Sequence, residues 1–206
     1  MSPPAGDETS KEELRRLFRR RRRQCLAVAA PGILATAGRH LEVLLERRAG
    51  RLGLYWPLGS EPDLRPLAPA WAGRLALPAV AGPELVYRPW APGDPLDADA
   101  CGIPAPTVGA AGPEPREDLD PAAMALLLVP ALAMDPGGLR LGSGGGWYDR
   151  LRADPRWAAV PALAVLPAAC VSPGLPGDPW DIPFDGWIDE RDCHLTAAGR
   201  RKVASS

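Results

Sequence analysis

The spacing of apolar and polar residues predicts two helices at the start of the chain. Residues Ser10-Lys11-Glu12-Glu13 have the form of a capping box, in which serine and glutamate side chains bind each other's backbone N–H groups. A helix should therefore begin there, with one apolar face made by Leu14, Leu17, Phe18 and Cys25. A second helix is predicted from about Ile33 to Arg48, with Gly50 as its stop.

Short apolar runs farther along predict strands, at residues 52–58, 75–80, 85–90, 126–129, 162–166 and 184–189, the last being the expected final strand. Every residue of Leu126–Val129 is apolar, as in a central parallel strand covered on both faces. Helices are predicted at 64–72 and 147–153, and residues 92–121 form a long loop with a short paired segment near Ile103. This alternation predicts an α/β protein, a three-layer α/β/α sandwich with a mostly parallel central sheet.

Length and composition indicate one globular domain. The chain has 206 residues, 46% of them hydrophobic and 24% charged, with no linker or internal repeat. We expect a disordered tail over residues 1–9, a single domain over 10–195 and a polar C-terminal tail over 196–206. The net charge of −1 argues against nucleic acid as a partner. No apolar run approaches the roughly 20 residues that cross a bilayer, and scattered cysteines without a CxxC pair fit a reducing compartment. A cytoplasmic monomer is expected.

The most informative segment is Pro130–Arg150, where glycines separate an apolar run from a predicted helix. Backbone N–H groups without side chains at a helix start favour a bound anion. Arg140 adds a cation, and Asp149 adds a carboxylate that could hold Mg²⁺ beside the same phosphates. A flexible turn is the simpler alternative. Because the segment lacks the Gly-Lys-Ser/Thr ending of a Walker loop and the third glycine of the dinucleotide fingerprint, we predict another kind of anion loop.

Other candidate residues lie far away in the chain. Lys11 and Arg15 are four residues apart at the positive end of the first helix, where they suit triphosphate oxygens. Glu61 follows a predicted strand, a usual ligand-binding position in α/β proteins, although most turn glutamates are simply solvated. Asp181 and Asp185 flank an apolar segment that could equally be an ordinary acidic loop.

The arginine run Arg19–Arg23 has two interpretations. A solvated helix face is the common one. Nucleic-acid binding is the other, but no stacking aromatic residues are interleaved with the arginines. Ser143 is not in a Gly-x-Ser-x-Gly elbow, so it is not a credible acyl-transfer nucleophile.

The glycine segment resembles the signature of the 5-formyltetrahydrofolate cyclo-ligases, also called methenyltetrahydrofolate synthetases, which reads roughly P-x-L-A-F-D-x-x-G-x-R-L-G-x-G-x-G-Y-Y-D. The chain agrees at Pro130, Leu132, Ala133, Asp135, Gly138, Arg140, Leu141, Gly142, Gly144, Gly146, Tyr148 and Asp149. The resemblance extends to Lys11-x-x-x-Arg15, Glu61, Cys101–Pro106 and Asp181-x-Pro-x-Asp185. The chain departs from the pattern at Met134, Ser143, Trp147 and Trp180, among others.

The resemblance implies a fold like those of certain sugar-phosphate isomerases and coenzyme A transferases, with ATP, Mg²⁺ and a reduced folate as ligands. It implies that ATP is held by Lys11, Arg15, Arg140, Leu141, Gly142, Ser143, Gly144, Gly145, Gly146, Trp147 and Tyr148. Trp56 and Glu61 would contact the folate, with Ser143 and Trp147 between the two ligands. Asp149 and Asp181 would hold the metal, and Lys11, Arg140 and Asp149 would be the catalytic residues.

The implied reaction is the ATP-dependent cyclisation of 5-formyltetrahydrofolate to 5,10-methenyltetrahydrofolate, through an imidoyl phosphate, with release of ADP and phosphate. An amide-like oxygen attacks phosphorus without a strong base, so alignment and charge neutralisation are the main requirements. The alternatives are a homologue without this activity, which binds nucleotide or acts on another amide, and an arginine-rich nucleic-acid binder. The full set of phosphate-binding residues favours an active enzyme, and the near-neutral net charge argues against nucleic acid.

Overall fold

The structure is a computed structural model, which describes residues 10–109, 117–178 and 181–204. Its first helix, α1 (Lys11–Leu45), is one continuous element. The predicted disordered tail over residues 1–9 and the departure at Trp180 lie outside those residues. The predicted capping box is present, since Ser10 Oγ accepts from the Glu13 N–H at 3.2 Å and the Ser10 N–H donates to Glu13 at 3.0 Å.

The prediction of two helices was wrong, because α1 continues through Pro31. A proline inside a helix lacks the N–H of one backbone bond, at a cost of about 3 kcal/mol. Ala29 and Ile33, on either side of the proline, are both buried in the core. Packing on both sides therefore outweighs the local preference for a break. The helix also ends before the predicted stop at Gly50, whose φ of +104° serves the turn into the first strand.

A seven-stranded sheet forms the centre of the protein, in the order β11-β10-β9-β6-β1-β2-β3. Its strands are β1 (Arg51–Gly53), β2 (Leu75–Ala81), β3 (Glu84–Trp90), β6 (Met124–Pro130), β9 (Ala162–Val165), β10 (Gly186–Ile188) and β11 (Cys193–Leu195). The pairs from β10 to β2 are parallel, while β3 and β11 are antiparallel edges. The predicted mostly parallel sheet is confirmed, and the apolar run 126–129 lies in its central strand.

Helices cover both faces of the sheet, which confirms the three-layer prediction. Alternate residues of β6 separate the two cores: Leu126 and Leu128 pack with α1, while Leu127 and Val129 pack with α2 (Trp147–Ala153) and α3 (Pro155–Ala159). A 3₁₀ helix at Arg65–Trp71 stands where a short helix was predicted and joins the α1 side. β6 is apolar at every position because neither of its faces meets solvent.

Two small antiparallel pairs lie outside the main sheet. β4 (Leu96–Ala98) pairs with β5 (Pro104–Pro106), as expected from the paired segment predicted near Ile103. β7 (Ala133–Met134) pairs with β8 (Arg140–Leu141), and this hairpin leads directly into the glycines of the sequence signature.

The prediction that residues 184–189 form the last strand was wrong. β11 follows β10, and residues 197–204, expected within a polar tail, form the helix α4 (Ala197–Ala204). Nζ of Lys202 lies 3.1 Å from a carboxylate oxygen of the buried Asp185, which also accepts the N–H of Ala162 at 2.8 Å. Ion pairs and hydrogen bonds attach α4 to the rest of the protein. Because such contacts need no apolar stripe along the helix, the sequence pattern did not predict this helix.

Neither a bilayer-crossing helix nor a disulfide occurs in the described ranges. None of the helices there is both long enough and apolar enough to span a membrane. The cysteines Cys25, Cys101, Cys170 and Cys193 are free.

Replacing Pro31 with alanine should stabilise the protein. The variant restores an N–H donor on an exposed part of α1, and we expect the free energy of unfolding to rise by about 1–3 kcal/mol. Thermal or denaturant unfolding measures this change, with Arg23→Ala as an exposed control on the same helix. A lower melting temperature for Pro31→Ala would show instead that the proline shapes α1 for packing.

Candidate functional site

The site lies where the chain leaves the central strands β1 and β6 in opposite directions. β1 leads to β2 on one side, and β6 leads to β9 on the other. A crevice at the carboxyl ends of two such strands is the usual ligand site of an open α/β sheet. Glu61 follows β1 and the glycine segment follows β6, so both sequence candidates reach this crevice.

One cavity of about 300 Å³ is lined by every residue predicted for the site. These residues are Lys11, Arg15, Trp56, Glu61, the run from Arg140 to Asp149, and Asp181. They come from the first turns of α1, the loop after β1, the stretch from β8 through the glycines into α2, and the loop before β10. The structure therefore brings the predicted residues together, while their individual roles remain predictions.

The glycine loop, residues 142–146, is held by hydrogen bonds from three arginines. Arg15 donates to the carbonyl of Gly142 at 3.3 Å, Arg19 to that of Ser143 at 2.7 Å, and Arg150 to that of Gly145 at 3.0 Å. Carbonyl and following N–H groups of a trans peptide point in opposite directions. Each arginine thus turns the next N–H group away from itself and fixes a peptide plane.

The N–H groups of the glycine loop are available to a ligand. Those of Ser143 through Gly146 have no acceptor among the described residues. Gly144 and Gly146 have φ values of +111° and +65°, a conformation that side-chain-bearing residues rarely adopt. Unpaired donors in the same cavity as the cations of Lys11 and Arg140 suit a bound anion. Because α2 has only 7 residues, its dipole contributes less than these donors and cations.

Arg140 is fixed below this loop in a nearly buried position, with 6% of its side chain exposed. It donates to the carbonyl of Pro130 at 3.2 Å and to Oδ1 of Asp149 at 3.3 Å. Its guanidinium carbon lies 5.4 Å from the Tyr148 ring centroid and 5.3 Å from that of Phe184. Nε is buried and has no hydrogen-bond partner among the described residues.

Lys11 is paired with two carboxylates. Its Nζ donates to Asp178 and, at 3.1 Å, to Asp181. Burial lowers the pKa of Lys11, but the hydrogen bonds and charges of Asp178 and Asp181 outweigh that effect and raise it. The ammonium group is therefore charged, and an incoming phosphate would compete with two carboxylates for it. Asp178 was not predicted as a site residue. Its position three residues before Asp181 is the only feature of the sequence that could have suggested it.

Glu61 lies in the loop after β1 and is nearly buried, with 8% of its side chain exposed. Oε2 accepts the backbone N–H of Leu58 at 2.9 Å, and Oε1 lies 3.9 Å from a guanidinium nitrogen of Arg22. Burial raises the pKa of Glu61, while the Leu58 N–H, Arg22 and Arg140 oppose that rise. The expectation of a merely solvated turn glutamate does not hold here.

The solvated-face interpretation of the arginine run fails for three of its members. Arg22 is buried, Arg19 binds the glycine loop, and Arg21 donates to the carbonyl of Ala169 at 3.3 Å. Arg20 and Arg23 are exposed, as a solvated face requires. Five consecutive arginines look alike in sequence, and only the docking of α1 against the loops separates them.

An aromatic and apolar wall completes the cavity. Trp56 is covered on one side by Arg65, whose guanidinium carbon lies 4.3 Å from the ring centroid and whose own position is held by Asp63 at 2.8 Å and 2.9 Å. Val80 and Ile103 also line the cavity. Ile103 belongs to the segment Cys101–Pro106 that carries part of the family resemblance, whereas Val80 lies in no motif and was not predicted as a site residue. The wall suits a flat, partly apolar ligand.

The candidate metal residues are carboxylates already paired with cations: Asp149 with Arg140 and Asp181 with Lys11. Within the described ranges, no group of three or more His, Cys, Asp or Glu side chains could hold a metal. Mg²⁺ needs only one or two carboxylates when phosphate oxygens and water complete its shell. These donors therefore fit Mg²⁺ that arrives together with a phosphate ligand.

An α/β sheet whose switch-point cavity is lined by a glycine loop with cations and, on the other side, by Glu61 and an aromatic wall has the form of a small-molecule enzyme site. A family model described as the 5-formyltetrahydrofolate cyclo-ligase family matches residues 7–188, and the chain belongs to this family. The resemblance seen in the sequence is thereby confirmed, and the protein is an enzyme of the ligase class.

Individual relatives agree with this assignment. A 5-formyltetrahydrofolate cyclo-ligase of Haemophilus influenzae is 28% identical over 152 residues, which cover 70% of this chain and 78% of that protein. The NMR structure of Aquifex aeolicus 5,10-methenyltetrahydrofolate synthetase matches with a TM-score of 0.69 and 29% identity, covering 91% of this chain and 93% of that one. A synthetase from Mycoplasma pneumoniae shares the fold, with a TM-score of 0.63, 18% identity and coverage of 89% and 100%.

Loss of the Arg19 tether should weaken nucleotide binding. A hydrogen bond from a charged donor is worth about 1 kcal/mol or more, so we expect Arg19→Ala to raise the Kd for ATP roughly three- to tenfold. Titration calorimetry with ATP measures this. Arg20→Ala removes the same charge from an exposed position on the same helix and should change Kd less than about twofold. Equal weakening by both variants would indicate general charge attraction and not loop orientation.

Proposed function

We propose that this enzyme converts 5-formyltetrahydrofolate to 5,10-methenyltetrahydrofolate at the expense of ATP, with release of ADP and phosphate. The observation that carries the proposal is a single cavity lined both by an anion loop with its cations and by Glu61 and Trp56. Two ligands bound in one cavity can react directly with each other, which a phosphoryl transfer from nucleotide to folate requires.

The phosphate half would be formed by the glycine loop, Lys11, Arg15 and Arg140. The unpaired N–H groups of the loop would donate to phosphate oxygens, and the cations would neutralise their charge. In this proposal Lys11 exchanges Asp178 and Asp181 for phosphate, since its Nζ is bound to both carboxylates in the free protein. Asp181 would then be free to bind the metal, and Asp178, whose side chain is 39% exposed, would be solvated by water.

Asp149 and Asp181 fit Mg²⁺ as carboxylate ligands beside the phosphates. When bound, the ion would offset the negative charge that develops on the phosphates during transfer. Arg140 holds Asp149 through one carboxylate oxygen, which leaves the side chain oriented and 39% exposed.

The folate half would be formed by Glu61 and Trp56. A carboxylate accepts hydrogen bonds from the N–H groups at the edge of a reduced pterin, and an indole ring packs against a flat ring system. Ser143 and Trp147 lie on the cavity wall in the glycine segment, where they would separate the two ligands. Arg150 packs over Trp147 at 4.4 Å from the ring centroid and would hold it in place.

The chemical sequence needs no nucleophile from the protein. The formyl oxygen attacks the γ-phosphorus of ATP, and the bond to the leaving ADP oxygen breaks. The N10 amine then adds to the activated formyl carbon and loses its proton to solvent. The C–O bond to the phosphate breaks, and phosphate leaves with the electron pair as the ring closes. The residues of the site align the two ligands and neutralise phosphoryl charge, which is the main source of catalysis in phosphoryl transfer.

Purified protein with Mg-ATP and 5-formyltetrahydrofolate should generate the near-ultraviolet absorbance of the methenyl product. The signal should require ATP and be accompanied by stoichiometric ADP, because one phosphoryl transfer activates one formyl group. No product at high enzyme concentration, with ATP still binding in calorimetry, would favour the alternative of a homologue that only binds nucleotide.

Two substitutions test the phosphate half. Lys11→Ala and Asp149→Asn should each lower kcat/KM by roughly ten- to a hundredfold, since each removes a charged contact worth about 1.5–3 kcal/mol. Asp149→Asn should also raise the Mg²⁺ concentration needed for half-maximal rate. Circular dichroism checks that both variants fold, and Arg20→Ala is the matched surface control. A wild-type rate in either variant removes that residue from the mechanism.

A further inference from the structure

Arg22 occupies an unusual position for a member of an arginine run. Only 6% of its side chain is exposed, and burying a guanidinium is costly unless its donors are satisfied. Nε donates to Ser60 Oγ at 3.1 Å, and Nη1 donates to the carbonyl of Ala131 at 3.0 Å. Ser60 follows β1 and Ala131 follows β6, so Arg22 joins α1 to both loops of the site.

The same guanidinium lies beside Glu61 without binding it directly. The separation of 3.9 Å between Nη1 and Oε1 is too long for a hydrogen bond but close enough for charge attraction. Oε2 of Glu61 is already held by the Leu58 N–H, whereas Oε1 has no hydrogen-bond donor among the described residues. Because Glu61 lines the cavity, Oε1 is the oxygen that a ligand can use.

We propose that Arg22 is a positioning residue for the folate half of the site: it holds the loop of Glu61 in register with β6 and so fixes where Oε1 of Glu61 meets the ligand, without touching substrate. This inference rests on the proposed function, in which Glu61 accepts N–H groups of the reduced folate. Arg22 differs in this from Arg15 and Arg19, which hold the phosphate side.

The charges around Glu61 come from several elements. Arg22 faces it from α1 and Arg140 from β8, while Tyr55 and Tyr148 are neighbouring phenols whose own pKa values burial raises. Burial raises the pKa of Glu61, and the two arginines oppose that rise. Removing Arg22 would therefore let Glu61 take up a proton at higher pH, and a protonated carboxyl loses part of its acceptor capacity.

The experiment compares Arg22→Met with Arg23→Met, which removes the same charge one position further along the helix at an exposed site. We expect Arg22→Met to raise KM for 5-formyltetrahydrofolate about tenfold or more, with KM for ATP changed less than about twofold. The acidic limb of its kcat/KM profile should move to higher pH. Arg22→Lys keeps the charge but not the forked donors, so it should restore the pH limb and part of the folate KM. Arg23→Met should match the wild type.

A double substitution separates positioning from simple structural support. In a Glu61→Ala background, Arg22→Met should cause little further rise in folate KM, because the side chain through which it acts is gone. The same loss in both backgrounds, or equal rises in both KM values, would overturn the proposal. If Arg22→Met does not fold, Arg22→Lys and Arg22→Gln carry the same comparison. Absence of product in the wild type would instead reject the proposed function, and this proposal with it.

Discussion

The continuity of α1 is the constraint on which the rest of the structure depends. Residues from Ala29 to Leu45 pack on the sheet and form much of one core, while the turns from Lys11 to Arg22 reach the carboxyl ends of the strands. Because a helix is rigid, fixing one of its ends also fixes the position of the other. The packing of apolar residues at one end of α1 therefore fixes the positions of four cations at the other end, even though Pro31 lies between the two ends. These cations are Lys11, Arg15, Arg19 and Arg22.

Several charged side chains of the site are paired with each other in the free protein, and a ligand would have to exchange these partners. Lys11 is bound to Asp178 and Asp181, Arg140 is bound to Asp149, and Arg22 lies beside Glu61. Such pairs avoid the penalty of isolated charges in a low-dielectric crevice. Binding of an anion with a divalent cation would exchange partners among these groups, at a smaller energetic cost than would be needed to bury new charges.

Local features of the chain were predictable where a short segment contains all the determining interactions. The capping box at Ser10 and the helix Trp147–Ala153 formed as expected, and the all-apolar run 126–129 is the central strand. Features held by distant contacts were not predictable. α4 is attached through the ion pair of Lys202 with Asp185, which no periodic pattern of the sequence predicts. The break expected before Ile33 does not form, because packing on both sides of Pro31 keeps the helix continuous.

The sequence by itself determined the layered fold, the family and the identity of most candidate site residues, because alternation of apolar runs and a glycine signature are local properties. Only the tertiary structure decided which arginines of Arg19–Arg23 serve the site and which face solvent. It also decided that Asp178 shares Lys11 with Asp181. The physical reason is that identical side chains acquire different pairing and burial only when α1 docks against loops that are distant in the chain.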